Sequence, residues 1–242
     1  MKMKQISSRL YQISLGSVNA FLLEDEGLTL IDTGLPGSTE RLLAAIRQGG
    51  KNPDDITRIL LTHWHPDHAG NAAELRQRFN ARLYAHTAEA DILERGGGKR
   101  PRYLTPGAIN WLVFNAFIKG VSPRIAPVVV DEQLADHDVL PLAGGVRVVH
   151  TPGHSAGHVA LLLEQEGVLI AGDLCANLLG LAYSTVYEDL ATGQRSIQKA
   201  AARSFDQAVF GHGAPLRQRA SEQLRERFDR PLPAPGKPLR SV

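Results

Sequence analysis

Hydrophobic positions along this chain fall into short apolar runs parted by glycine, proline and acidic turns, which predicts a strand-rich first half. Leu10-Tyr11-Gln12-Ile13-Ser14-Leu15 and Val18-Asn19-Ala20-Phe21-Leu22-Leu23 read as strands separated by Gly16-Ser17. The turn Glu24-Asp25-Glu26-Gly27 leads to a third strand, Leu28-Thr29-Leu30-Ile31-Asp32. Ser38 then stands where a helix cap belongs, ahead of Leu42, Leu43 and Ile46 on one helical face, and Gly49-Gly50 ends that run. Arg58-Ile59-Leu60-Leu61 predicts a strand, Asn71 to about Phe79 a helix, and Arg82-Leu83-Tyr84-Ala85-His86 a further strand.

From Asp138 the same grammar recurs. Val146 to His150, Val159 to Leu163 and Val168 to Ala171 are predicted strands, followed by a helix from Gln194 to Ala202 and the strand Gln207-Ala208-Val209-Phe210. Two copies of a strand-rich unit, each followed by helix and strand, predict two packed sheets with helices outside. A last helix is expected over Ala220 to Phe228, and the tail from Pro231 to Val242, with four prolines, is expected to be flexible. Between the halves, about residues 96–123, the pattern breaks. The basic loop Gly96-Gly97-Gly98-Lys99-Arg100-Pro101-Arg102 leads into Ala108 to Ile118, which is apolar almost all round if helical. It reads as a buried helix, a cover over a pocket, a dimer contact or a membrane-surface contact.

Composition narrows the class without naming a chemistry. The 242 residues suffice for one substantial core, read here as a single domain over 1–230. Twenty-seven basic against 25 acidic residues leave a formal charge of +2, too little to argue for nucleic acid as the main partner. Cys175 is the only cysteine, so no intrachain disulfide is possible. The basic N-terminus has no apolar stretch behind it, and no run approaches the roughly 18 apolar residues of a membrane span, so a cytoplasmic protein is expected.

Chemistry concentrates in Thr62-His63-Trp64-His65-Pro66-Asp67-His68-Ala69-Gly70, where three imidazoles and a carboxylate lie directly after a predicted strand. Neutral imidazoles favour zinc and similar borderline metals, and carboxylates complete or bridge such sites. His154, Asp173 and His212 follow predicted strands in the second half, each beside glycine or one residue from it, so the inventory reaches five histidines and two aspartates.

His63-x-His65-x-Asp67-His68, with His154, Asp173 and His212 in that order, resembles the metallo-β-lactamase superfamily, and Leu30-Ile31-Asp32-Thr33-Gly34 resembles its first motif. The resemblance runs from about Ile6 to Leu216 and implies an α/β fold, a four-layer αββα sandwich of two mixed sheets with metals along one sheet edge. It implies that His63, His65 and His154 bind a first divalent ion, that Asp67, His68 and His212 bind a second, and that Asp173 bridges them. Asp32 would orient ligands, while His86, His137, His150 and His158 are read as structural or surface residues.

Departures from the family's branches guide the choice of activity. Asp173 and His68 stand where dinuclear β-lactamases typically carry Cys and Arg, which argues against antibiotic hydrolysis. His65 stands where flavin-partnered di-iron members carry Glu, and Ala176 where many homoserine-lactone lactonases carry Tyr. The Arg-rich segment 217–230 only faintly echoes the basic region of glyoxalase II members. The expectation is a glyoxalase II- or lactonase-like hydrolase with two metal ions, most simply zinc, with iron or manganese as alternatives. A hydroxide between ions about 3.5–4 Å apart would attack a small ester, lactone or thioester, with Asp67 carrying its proton. An iron-dependent persulfide oxygenase, a phosphodiesterase or nuclease, and a non-catalytic metal-binding module stay open as alternatives. Trp111, Phe114 and Phe117 are the candidates for an apolar substrate pocket, and the same insertion is a candidate homodimer contact.

Overall fold

Period-2 alternation in strands that are buried on both faces shapes this molecule. The computed structural model describes residues 3–229; the proline-rich segment expected to be flexible lies outside the described residues. The first half supplies β1 (Met3–Gln5), β2 (Leu10–Ser14), β3 (Asn19–Asp25), β4 (Gly27–Ile31), β5 (Ile56–Leu60) and β6 (Arg82–His86). A two-residue strand, β7 (Tyr103–Leu104), lies in the insertion, and β8 (Glu132–Leu134) returns to the first sheet, whose order is β1-β2-β3-β4-β5-β6-β8. The second half supplies β9 (Val139–Leu140), β10 (Val146–His150), β11 (Val159–Leu163) and β12 (Val168–Ile170). The short strands β13 (Ala176–Asn177), β14 (Leu181–Ala182) and β15 (Val186–Tyr187) follow, and then β16 (Gln207–Val209). The second sheet runs β16-β12-β11-β10-β9.

Both sheets are mixed. Pairing is antiparallel from β1 to β4 and parallel from β4 through β5 and β6 to β8, while β12 and β16 are the parallel pair of the second sheet. Parallel neighbours need crossovers, and helices supply them. They are α1 (Thr39–Gln48), the single turn α2 (Pro66–Ala69) with α3 (Ala72–Phe79), α4 (Thr87–Glu94) and α6 (Leu190–Ala201), with the exposed helix α5 (Ala108–Val113) in the insertion and α7 (Ala220–Phe228) last.

Alternate residues of one strand enter different layers. In β3, Ala20 and Leu22 face the helices beside the first sheet, whereas Phe21 and Leu23 face the second sheet. In β11, Ala160 and Leu162 face α6 and α7, whereas Val159, Leu161 and Leu163 face the first sheet. Three apolar cores thus separate four layers, αββα, as the sequence resemblance implied. Each fully buried leucine or phenylalanine in them contributes roughly 1.5–3 kcal/mol.

Local differences have physical causes. Helix α6 starts at Leu190 rather than Gln194 because the Asp189 carboxylate caps it, accepting from Thr192 N at 2.9 Å. The Ser38 hydroxyl does not cap α1; it donates to Leu35 O and accepts from Asn71 Nδ2. Helix α4 leaves little mark on the hydrophobic pattern, since only four apolar residues fall in its eight positions. The reading of residues 108–118 as a buried helix fails: α5 and the π-helical turn Phe114–Ile118 contain no buried residue.

Candidate metal centre

Strand direction gathers the seven expected ligands. β10, β12 and β16 run the same way in the second sheet, as do β4 and β5 in the first, and the segments just past their carboxyl ends carry every candidate. Asp32 follows β4, His63, His65, Asp67 and His68 follow β5, His154 follows β10, Asp173 follows β12 and His212 follows β16. Their side chains form three overlapping groups: His63 with His65 and His154, His63 with His68 and Asp173, and Asp67 with His68 and His212. Within each group, one ligand atom per residue lies within 4.8 Å of the others.

On four of the five imidazoles Nδ1 is engaged by a neighbour outside the cluster, which aims Nε2 at the centre. His154 Nδ1 donates to Val186 O at 2.8 Å, and His212 Nδ1 donates to Ser17 O at 2.6 Å. A carbonyl only accepts, so both rings must carry their proton on Nδ1 and present Nε2 as a lone pair when neutral. His68 Nδ1 lies 2.8 Å from Asp32 Oδ2, and His63 Nδ1 lies 3.0 Å from Thr62 Oγ1, whose own proton goes to Asp32 Oδ2. His65 Nδ1 lies 2.8 Å from His154 Nε2. The Nε2 atoms of His63, His65 and His68 and Oδ1 of Asp173 are left buried with no hydrogen-bond partner. Unpaired buried polar atoms cost about 1–3 kcal/mol each, so His63 Nε2, His68 Nε2 and Asp173 Oδ1, on residues grouped within 4.8 Å, fit a shared cation better than an apolar core. The donor set passes this test.

The two halves of the cluster differ electrostatically. Burial holds His65 down to about 3, and burial likewise lowers His63 and His154, with neighbouring imidazoles adding to the effect on His63 and His65. These rings are neutral lone-pair donors at physiological pH. Burial opposes charge on His68 and His212 as well, but there the carboxylates win. Asp173, Asp67 and Asp32 carry His68 well above the usual range, and Asp173 and Asp67 carry His212 to about 10. Asp173 is held well below the usual carboxylate range, burial being outweighed by His212 and His68. Protons therefore stand between Asp67 and Asp173 where a cation would balance the same charge. Asp67 and His212, with side chains 31% and 22% exposed, form the open side of the cluster.

Several supporting residues hold the ligands in place. Asp32 adopts φ +60° and accepts from Thr62 N and Thr62 Oγ1, both at 2.8 Å, so it ties the β5 end to His68. His158 is not at the centre; its Nε2 accepts from Asp173 N at 3.0 Å and fixes that backbone. Gly172, at φ +52°, passes so close that a Cβ would lie 2.8 Å from His158 Nε2. Ser184 Oγ donates to Asp173 O, and Tyr187 OH donates to Leu174 O. His86 and His150 stack with centroids 3.9 Å apart, away from the cluster, and Cys175 is buried in the second-sheet core with its thiol pushed up by burial. His137 lies on the surface at φ +73°. Trp111 and Phe117 are 60% and 67% exposed, and Phe114 is half-buried; among the described residues no ring contact joins them to the histidines.

Gly211 gives a test of the packing that needs no ligand change. A Cβ there would meet Asp173 Oδ1 at 2.1 Å and His68 Cε1 at 2.7 Å. Gly211→Ala should therefore lower metal affinity by about tenfold or more with an unchanged far-ultraviolet spectrum. Retention of full affinity in a metal titration would show that Asp173 has room to move.

Glu89 joins the two ligand loops. Its carboxylate accepts from Trp64 N at 2.9 Å, and from Ser155 Oγ and Gly157 N at 2.7 Å, so it holds the loops carrying His63, His65 and His154 in one register. Burial raises this carboxyl from 4.5 to about 7, against the three bonds that lower it. In the fold the proton stays on until about pH 7, whereas the unfolded chain loses it near 4.5. Stability from this group is thus complete at low pH and declines as pH rises between those values, by up to about 3 kcal/mol. Glu89→Gln should flatten that decline. Urea unfolding of both proteins at about pH 4.5 and 7.5 measures it, and an unchanged difference between them would refute the assignment.

Comparisons with known proteins agree with this geometry. A family model described as the metallo-β-lactamase superfamily matches residues 13–212. The uncharacterized protein YobT of Bacillus subtilis is 32% identical over 71% of this chain and 67% of its own length. The atrochrysone carboxyl ACP thioesterase of Cryptosporiopsis is 26% identical over 94% of this chain, and the thioesterase pkgB of Emericella nidulans 29% over 76%. This chain spans 62% and 42% of those two fungal proteins. A metallo-β-lactamase family protein from Thermus thermophilus superposes with a TM-score of 0.67 at 28% identity, covering 91% of this chain and 78% of that one. The soil-metagenome subclass B3 enzyme MEM-A1 gives 0.70 over 95% and 93%, at an identity of 24% that speaks for the fold alone.

Proposed function

Since this chain belongs to the metallo-β-lactamase superfamily, we propose that it is a dinuclear metal hydrolase of small acyl thioesters and esters. The observation that carries the reading is the convergence of five histidines and two aspartates in three overlapping groups, with His63 Nε2, His68 Nε2 and Asp173 Oδ1 buried there without a hydrogen-bond partner. His63, His65 and His154 would hold one ion, Asp67, His68 and His212 the other, and Asp173 reaches both groups. Neutral imidazoles with carboxylates suit zinc. When bound, the ions supply Lewis acidity and a water acidic enough to ionise near neutral pH.

The chain's own residues do the rest. Asp32 and the carbonyls of Val186 and Ser17 orient His68, His154 and His212. Asp67, on the open side, is placed to take a proton from the attacking water and return it to the leaving group. Glu89 keeps the two ligand loops together. The insertion is tied to the same edge, because Leu104 of β7 pairs with Val186, whose carbonyl orients His154. Of the three aromatic pocket candidates Phe114 alone is half-buried, and it would be the one to meet an acyl portion. The thioester preference draws support from the fungal relatives named as thioesterases.

The test is a substrate panel of acyl thioesters, lactones, aryl esters, β-lactams and phosphodiesters. Thioester turnover that disappears with a chelator and returns with zinc is the expected result. Turnover of phosphodiesters alone, or oxygen uptake with glutathione persulfide by an iron-loaded protein, would replace this reading.

A further inference from the structure

We propose that the arm formed by residues 98–124 is a docking surface for an anionic lipid bilayer, a property independent of the hydrolysis reading. Helix α5 and the turn after it are apolar on both sides. Asn110, Val113, Phe114 and Ile118, spaced as one helical stripe, are half-buried. Ile109, Trp111, Leu112 and Phe117 lie off that stripe and are 60–67% exposed. From Pro106 to Arg124 no residue is buried at all.

The arm is fixed to the body through β7, which pairs with β15. Its ends meet where Gly97 bridges Arg124 and Ile125 N donates to Gly96 O, and the Arg100 guanidinium donates to the carbonyls of Lys119 and Val121. Charge follows the same division. The arm carries five basic residues, Lys99, Arg100, Arg102, Lys119 and Arg124, and residues 96–130 contain no acidic one. The rest of the chain then holds 22 basic against 25 acidic residues, so its net positive charge comes wholly from this arm.

That combination selects the occupant. A second copy meeting the arm face to face would set five cations against five. A bilayer with anionic headgroups takes a convex apolar ridge of any shape, while cations flanking the ridge lie at headgroup level. Among the described residues no helix is long and apolar enough to cross a membrane, so the contact is interfacial.

Two tryptophans of opposite exposure make the test direct. Trp64 is 1% exposed and Trp111 is 60% exposed, so a blue shift on adding vesicles reports Trp111. The full, metal-loaded chain should co-sediment with phosphatidylglycerol vesicles and show that shift. Phosphatidylcholine vesicles should bind it at least tenfold more weakly, and molar salt should release most of it. Leu112→Asp should abolish binding with unchanged metal content and circular dichroism, and Lys119→Gln and Arg124→Gln should each weaken it about fivefold. Equal binding to both lipids, or none to phosphatidylglycerol, would overturn the proposal. A dimer in light scattering that Leu112→Asp dissociates would overturn it in favour of a second copy. A blue shift caused by a soluble acyl thioester without vesicles would overturn it in favour of a lid over the site.

Discussion

Asp173→Ala should lower hydrolysis by about a thousandfold or more and empty at least one of the two proposed ion positions. Among the described residues Asp173 is the only carboxylate whose two oxygens face both halves of the cluster: Oδ1 lies 3.4 Å from His68 Nε2, and Oδ2 lies 3.5 Å from His154 Nε2 and 3.2 Å from His212 Nε2. Losing it removes several kcal/mol of cation binding, and each 1.4 kcal/mol is a factor of ten. The fold should survive, because Asp173 N and O are held by His158 and Ser184 through backbone atoms that alanine keeps. Metal content by mass spectrometry and turnover of an acyl thioester measure both consequences. A variant that keeps two ions and ordinary turnover would remove Asp173 from the site.

Asp32→Ala should instead show its largest effect on stability. Asp32 is fully buried, and its carboxylate satisfies Thr62 N, Thr62 Oγ1 and His68 Nδ1 at once. Alanine leaves three buried donors without an acceptor, at a cost of about 3–5 kcal/mol, and the φ of +60° adds roughly 1 kcal/mol for a residue other than Gly, Asn or Asp. Asp32→Asn tolerates the same backbone and keeps one acceptor, so it should recover part of the loss. Urea unfolding of the three proteins separates these contributions. Equal midpoints for Ala and wild type would mean that water replaces the carboxylate, which a fully buried site forbids.

The fold was legible because local pattern and global architecture agree. Strands such as β3 and β11 are apolar at consecutive positions because both faces are covered, and that continuous burial is visible as an unbroken run. The metal cluster was legible because its residues sit where strands stop, and His63, His65, Asp67 and His68 crowd into one turn. What could not be seen were groups whose role depends on distance across the fold. Glu89 lies in an amphipathic helix with nothing in its neighbours to set it apart, yet it reaches Gly157, 68 positions on. Thr62 looked like an ordinary strand-end residue, although its hydroxyl relays His63 to Asp32. His158 reads as structural, but the amide that it accepts from, Asp173 N, lies 15 positions on. The apolar stretch near Trp111 misled the buried-helix reading because apolarity sets a preference for burial and does not supply the partner.

Metal analysis of the wild type and His65→Ala, purified side by side without added metal, tests the central claim most directly. His65 belongs to the buried group with His63 and His154, its Nδ1 2.8 Å from His154 Nε2, and no carboxylate or backbone support depends on its side chain. The expected result is close to two equivalents of zinc or a similar divalent ion in the wild type and at most one in the variant. Thioester hydrolysis should fall in step with the lost ion. A wild-type protein that holds no metal yet hydrolyses thioesters, or a variant that keeps both ions, would contradict the assignment of these seven side chains to a dinuclear site.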